Sequence, residues 1–147
     1  MTQEDKELLL KDLSARLPYG VKILQGDVVM ETLQSICKVG DNDYTVNPIT
    51  NDMYNGFHIE QVKPYLRPMS SMTEEEKKDL KSSTCPFGTG YFNEKYLICP
   101  LNHLGEQISY EFMSGILDWL NKNHFDYRGL IEKRLALEAP EGMYKED

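Results

Sequence analysis

The chain has 147 residues and carries 24 acidic against 16 basic side chains, for a net charge of −8. That length matches a single domain, residues 1–147, able to bury roughly 68–70% of its unfolded surface without staples. The acidity is spread, with 7 basic and 10 acidic groups in residues 1–72 and 9 and 14 in residues 73–147. Neither half has the basic footprint of a phosphate-binding protein, which argues against nucleic acid as the partner.

Three cysteines, Cys37, Cys85 and Cys99, are too few and too sparse for a disulfide framework. The opening MTQEDKELLLKDL is charged throughout and lacks the apolar core of a signal peptide. No run approaches the ~20 apolar residues that span a bilayer. A cytoplasmic protein without a membrane segment is the expectation.

In chain order, the first element is an amphipathic helix. Leu9, Leu13 and Leu17 recur every fourth residue with Leu10 beside them, Glu4 and Asp5 suit the first turn, and Pro18 and Gly20 stop it. Strands follow: Val21–Leu24, a turn at Gln25-Gly26-Asp27, and a long Val28–Val39 segment whose alternation is imperfect. Gly40-Asp41-Asn42-Asp43 is a strong turn, Tyr44–Val46 a returning strand, Asn47–Gly56 a loop and Phe57–Val62 a further strand. The stretch Lys63–Pro68 then leaves the sheet in an extended path, because each proline disfavours helix in the residue before it.

Thr73-Glu74-Glu75-Glu76 is a capping box that opens a short, charged helix to about Ser82. Residues Ser83–Gly105 are punctuated by Pro86, Gly88, Gly90 and Pro100, with Tyr91-Phe92 and Tyr96-Leu97-Ile98 as candidate strands. Ser109–Asn123 is the clearest helix, with Phe112, Met113, Ile116, Leu117 and Leu120 on one stripe and Trp119 at its edge. Asp126 can cap a short helix, Leu135-Ala136-Leu137 reads as a brief edge strand, and residues 138–147 as a frayed acidic tail. The fold class is therefore α+β: a small curled antiparallel sheet, SH3-like in form, with an N-terminal helix and a helical C-terminal third.

Chemistry is harder to find. Cys85, Cys99 and His103 have the spacing C-x13-C-x3-H, which lacks the tight knuckle of a structural zinc site and leaves the fourth ligand to Cys37, His58 or His124. Buried cysteines acting as small hydrophobes are the simpler account, so no metal and no cofactor are expected. Gly88-Thr89-Gly90 lacks the ending of a phosphate loop. A Cys/His nucleophile pair formed only in space, from Cys85 or Cys99 with His103 or His124, is the enzymatic alternative.

Two segments have the composition of interaction surfaces. One is Pro64–Pro68 with Tyr65 and Arg67, and the other Phe125–Arg128 with Tyr127 and Arg128, because Tyr and Arg are enriched at binding hot spots. Either segment also reads as a tie-down that holds a connector on the core. Tyr44, Phe57, Tyr65, Lys63 and Arg67 together offer the aromatic and basic groups of a single-stranded nucleic-acid platform, against the overall acidity.

Three segments carry a resemblance: KELLLKDLSARLPYGVK (6–22), VKPYLRPMSSMTEEEK (62–77) and HFDYRGLIEKRLALEAPEGMY (124–144), together 54 of the 147 residues. The chain resembles a group of small uncharacterised proteins carried by prophages and mobile elements of gut bacteria. In that group a glycine occupies the place of Arg134, where it would end the short helix; this chain departs from it. The resemblance implies an accessory role in a mobile element. The expected function is binding of another protein, without enzymatic activity. The alternatives are a small β-barrel that binds single-stranded nucleic acid and an enzyme with a dispersed Cys/His site.

Overall fold

Helix α1, Gln3–Arg16, starts on a capping box in which the Thr2 hydroxyl accepts from the Asp5 amide at 3.1 Å and Asp5 accepts from the Thr2 amide at 3.2 Å. A one-turn 3-10 segment, Leu17–Tyr19, then ends at Gly20, whose φ of 67° lies in the left-handed region. The buried stripe of α1 is Leu9, Asp12, Leu13 and Arg16, so an ion pair shares the face with the leucines. These coordinates, a computed structural model, describe residues 1–27, 29–47, 56–84, 91–92, 97–98 and 110–145.

The fold is α+β, as the sequence predicts. The chain divides into two compact units, Met1–Leu66 with Arg128–Asp147 and Arg67–Tyr127. In the first, β1 (Lys22–Gln25), β2 (Val29–Thr32), β6 (Val62–Leu66) and β9 (Leu137–Glu138) form a sheet in the order β2-β1-β6-β9. The β2-β1 and β1-β6 pairs are antiparallel and β6-β9 is parallel. A second sheet joins β3 (Ile36–Lys38), β4 (Tyr44–Val46) and β5 (Phe57–His58), antiparallel throughout. The core of this unit collects Leu9 and Leu13 from α1, Ile23, Val46, Val62 and Leu66 from the sheets, and Leu130 and Leu135 from the C-terminal segment.

The predicted Val28–Val39 strand is broken into β2 and β3 by residues 33–35. The cause lies at Asn47, whose φ of 49° is left-handed, a conformation asparagine tolerates better than most residues. Its side-chain oxygen accepts from the amides of Gln34 at 2.7 Å and Ser35 at 3.2 Å, and its side-chain nitrogen donates to the Thr32 carbonyl at 2.9 Å. Leu33 turns into the core at the break, its amide donating to the Val21 carbonyl at 2.9 Å.

The Lys63–Pro68 stretch does not leave the sheet: Lys63 to Leu66 lie in β6. Pro64 is tolerated because β9 pairs only from Tyr65 onward, so at Pro64 the strand has β1 as its single described partner. Beyond the Ile23–Pro64 rung, the β1–β6 ladder is continued by a side chain. The Tyr144 hydroxyl accepts from the Lys22 amide at 2.9 Å and donates to the Tyr65 carbonyl at 2.7 Å. Tyr144 lies inside the stretch read as a frayed tail.

The second unit holds α2 (Glu74–Thr84), a short β7–β8 pair (Tyr91–Phe92 and Leu97–Ile98) and α3 (Tyr110–Lys122). The predicted capping box of α2 is present, with Thr73 accepting from the Glu76 amide at 3.2 Å and Glu76 accepting from the Thr73 amide at 2.9 Å. Met72, Leu80, Trp119, Leu120 and Phe125 form its core. Helix α3 ends in a Schellman motif: the His124 amide donates to Asn121 O at 3.1 Å and the Phe125 amide to Leu120 O at 3.0 Å, with His124 left-handed at φ 61°.

The same pattern recurs in the first unit. The expected helix after Asp126 is instead a run of turns. Arg134, at φ 61°, donates to Ile131 O at 3.0 Å while Leu135 donates to Leu130 O at 2.9 Å. The stop therefore stands where glycine would be favoured, with arginine occupying it.

Two outcomes follow from these backbone sites. Arg134→Gly relieves a left-handed residue that makes no demand on its Cβ, and raises stability by about 0.5–1 kcal/mol in urea unfolding. Burial pushes the Tyr144 phenol up to about 12, against the Lys22 hydrogen bond and the Arg16 charge. A raised folded-state value means that Tyr144 stabilises fully below the unfolded value near 10 and loses this as pH climbs toward the folded one. Tyr144→Phe should lower stability by about 1–3 kcal/mol at neutral pH. It should also lose stability less steeply than the parent above about pH 10, read by circular dichroism.

Candidate functional site

The four residues singled out from the sequence fall in different units: Tyr65 and Arg128 in the first, Arg67 and Tyr127 in the second. Each has an internal contact. Arg128 donates to Asp12 Oδ1 at 3.1 Å, and the Tyr65 carbonyl holds Tyr144. Tyr127 donates its hydroxyl to Asn121 at 3.0 Å.

Arg67 is the most engaged of them. Its fork donates to both carboxylate oxygens of Glu76, at 2.7 and 2.9 Å. Its guanidinium carbon stands 4.2 Å from the centroid of Phe125, which stacks on Trp119 at 5.8 Å and 7°. The Trp119 indole in turn donates to Asp79 at 2.8 Å. The Arg67 backbone completes the clamp, donating to His124 O and accepting from Asp126 N, both at 2.8 Å.

An open cleft of about 500 Å³ that the sequence did not announce lies in the first unit, where Lys6 and Glu60 join His58, read as a possible metal ligand, and the turn residues Asn42 and Asp43. Lys6 meets Glu60 at 2.6 Å, and His58 Nδ1 lies 3.2 Å from Asp43 Oδ1. The Lys6–Glu60 hydrogen bond pushes the lysine up and holds the glutamate down. These pairs clasp α1 and the turn before β4 to the segment around β5.

Of the groups named for a Cys/His or metal site, Cys85, Cys99 and His103 lie outside the described residues. Cys37 and His58 both pair with Thr45, from opposite sides, so they share one face of the β3-β4-β5 sheet. Two strand spacings, roughly 10 Å, separate their backbones. Among the described residues no group of three or more His, Cys, Asp or Glu is gathered to hold a metal ion.

The register of the four-stranded sheet also sorts its two faces. Ile23, Gln25, Val62, Pro64 and Leu66 are buried, while the alternate positions of β1 and β6 are half-buried. On that outer face Lys22 pairs with Thr32, Leu24 with both Met30 and Lys63, and Tyr65 with Leu137. Met30 is 53% exposed. Lys22 Nζ donates to Thr32 Oγ1 at 2.6 Å, which fixes the ammonium over the sheet. The outward positions of the four strands include two lysines, and no Asp or Glu stands among them. The stretch that supplies Lys63 and Tyr65 to this face was read as leaving the sheet, and the pairing that assembles the face spans the chain.

Among the described residues no helix is long and apolar enough to cross a membrane. For Glu76, burial pushes the carboxyl up, but the Arg67 fork and the Thr73 amide and hydroxyl outweigh this and hold it below its ordinary value of 4.5. Such a group stabilises fully above the unfolded value, and the contribution is lost as pH falls through the folded one. Glu76→Gln should therefore be less stable than the parent near neutrality yet lose less stability on acidification below about pH 4.5, measured as thermal melts across pH. Comparison with protein-family models, with curated proteins and with solved structures finds no match for the chain.

Proposed function

We propose that this chain is a non-enzymatic accessory protein that acts in the cytosol by binding another protein, in the encounter of a phage or mobile element with its bacterial host. The supporting observation is the outer face of the β2-β1-β6-β9 sheet, where Met30 is exposed beside Leu24 and Tyr65 lies beside Leu137. An exposed methionine beside a leucine, on a face that also carries a tyrosine, is a composition that favours adaptable protein contacts. The resemblance of residues 6–22, 62–77 and 124–144 to proteins of prophages and mobile elements supplies the setting.

A second reading, binding of single-stranded nucleic acid, draws on the same face, because Tyr65 shares it with Lys22 and Lys63. The net charge of −8 weighs against it.

Affinity capture from a gut-bacterial lysate tests the first reading. The tagged chain should retain a protein partner in near-stoichiometric amount, and Met30→Asp should deplete it at least about tenfold, the loss of roughly 1.4 kcal/mol. Capture that yields no protein above background would remove the proposal.

A further inference from the structure

We infer that the outer face of the four-stranded sheet receives an extended, acidic segment of a partner protein in which carboxylates alternate with apolar side chains. This deepens the protein-binding reading and rests on it. The centre of the face is built by β1 and β6. Each of these strands offers one lysine and one apolar side chain outward, Lys22 with Leu24 and Lys63 with Tyr65. The strands are antiparallel, with Leu24 opposite Lys63, and past the Ile23–Pro64 rung the Tyr144 hydroxyl bridges Lys22 and Tyr65, so lysine and apolar groups alternate along each strand and change places between the two. The result is a chequerboard with its two ammonium groups on a diagonal.

The chequerboard has a definite spacing. Outward neighbours on one strand stand roughly 7 Å apart, and the strands are roughly 4.8 Å apart at the paired Leu24–Lys63 rung. A segment in extended conformation repeats at the same interval of roughly 7 Å on one side. A carboxylate followed two residues later by an apolar group therefore matches the board in register. Met30, 53% exposed at the edge beside Leu24, extends the apolar part.

Charge selects the occupant. The chain as a whole carries −8, whereas the outward strand positions hold two lysines, and the two exposed carboxylates of these strands, Glu31 and Glu138, occupy the alternate positions of the edge strands β2 and β9. Such a local inversion attracts anions at short range only, within a Debye length of about 10 Å at 0.1 M salt. Two lysines and one central tyrosine are a small platform for nucleic acid, which relies on many phosphate contacts. The apolar share, Leu24, Met30 and Leu137, favours a polypeptide.

The test uses the full chain and a labelled peptide, Glu-Ser-Leu-Ser-Glu-Ser-Leu-Ser, in fluorescence anisotropy. Controls are the same peptide with lysine for glutamate and an eight-nucleotide oligothymidine. Expected are saturable binding of the acidic peptide and at least about tenfold weakening in the Lys22→Glu/Lys63→Glu variant. Binding should also weaken when salt rises from about 20 to about 300 mM. Thermal melts check that the variant is folded; should it not be, Lys63→Gln and the salt dependence carry the decision, with weakening expected in both.

No binding of the acidic peptide below about 1 mM, equal binding of the lysine peptide, or tighter binding of oligothymidine would overturn the inference. A lysate partner captured equally well by the charge-reversed variant would also overturn it, while leaving the protein-binding role in place.

Discussion

The first unit depends on a carboxylate that has no water to solvate it. Asp12 is fully buried, and so is Arg16, whose fork grips both of its oxygens at 2.8 and 3.0 Å. Arg128, from the far end of the sequence, adds a third hydrogen bond at 3.1 Å. A buried charge is tolerable only when it is paired and hydrogen-bonded, and breaking such a pair costs about 3–5 kcal/mol. The constraint couples α1, which covers the core, to the segment that carries Leu130, Leu135 and β9. A leucine at position 12 would suit the stripe of α1; aspartate there ties the helix to one particular partner.

Among the described residues three non-glycine residues take left-handed backbone, and each stands where long-range packing outweighs local preference. Asn47 breaks the long strand and holds the pieces with its own amide group. His124 ends α3 so that Phe125 can turn back to stack on Trp119. Arg134 ends a turn so that Leu135 can return to the core beside Leu130. The local cost of such residues is about 1–2 kcal/mol apiece. In the second and third cases the return brings an apolar residue into the core, which is worth about 1.5–3 kcal/mol.

What was legible in the sequence is what short-range chemistry decides. Thr73 with Glu76 and the Gly20 stop are visible within one or two turns and stand in the structure, as does helix α3, although of its predicted stripe Leu120 is buried and Leu117 is 41% exposed, while Trp119, placed at the edge, is buried. The strand break at 33–35 was not, because its cause is a side chain more than ten residues away. The β6–β9 pairing was not, because nothing in VKPYL names a parallel partner beyond residue 130. The same limit governs the surface. Tyr65 was noticed for its residue type, whereas Lys22, Leu24 and Met30 acquire meaning only once the register places them beside it. Arg67 was noticed for the same reason, and its charge is spent inside the second unit on Glu76 and Phe125.

The clamp at Arg67 has a consequence for how the chain can close. The second unit is inserted between β6 and its parallel partner β9, so their pairing spans about seventy residues, and each doubling of a loop costs about 0.6 kcal/mol of entropy. Yet Arg67 bonds to His124 and Asp126, which brings the two ends of the inserted unit together one residue past β6. Once that clamp has formed, the loop left to close before Leu137 is only about ten residues long. The difference is nearly three doublings, or about 1.5–2 kcal/mol. Closing the insert on itself thus shortens the loop that the β6–β9 pairing has to close, and a pair of backbone hydrogen bonds carries that coupling.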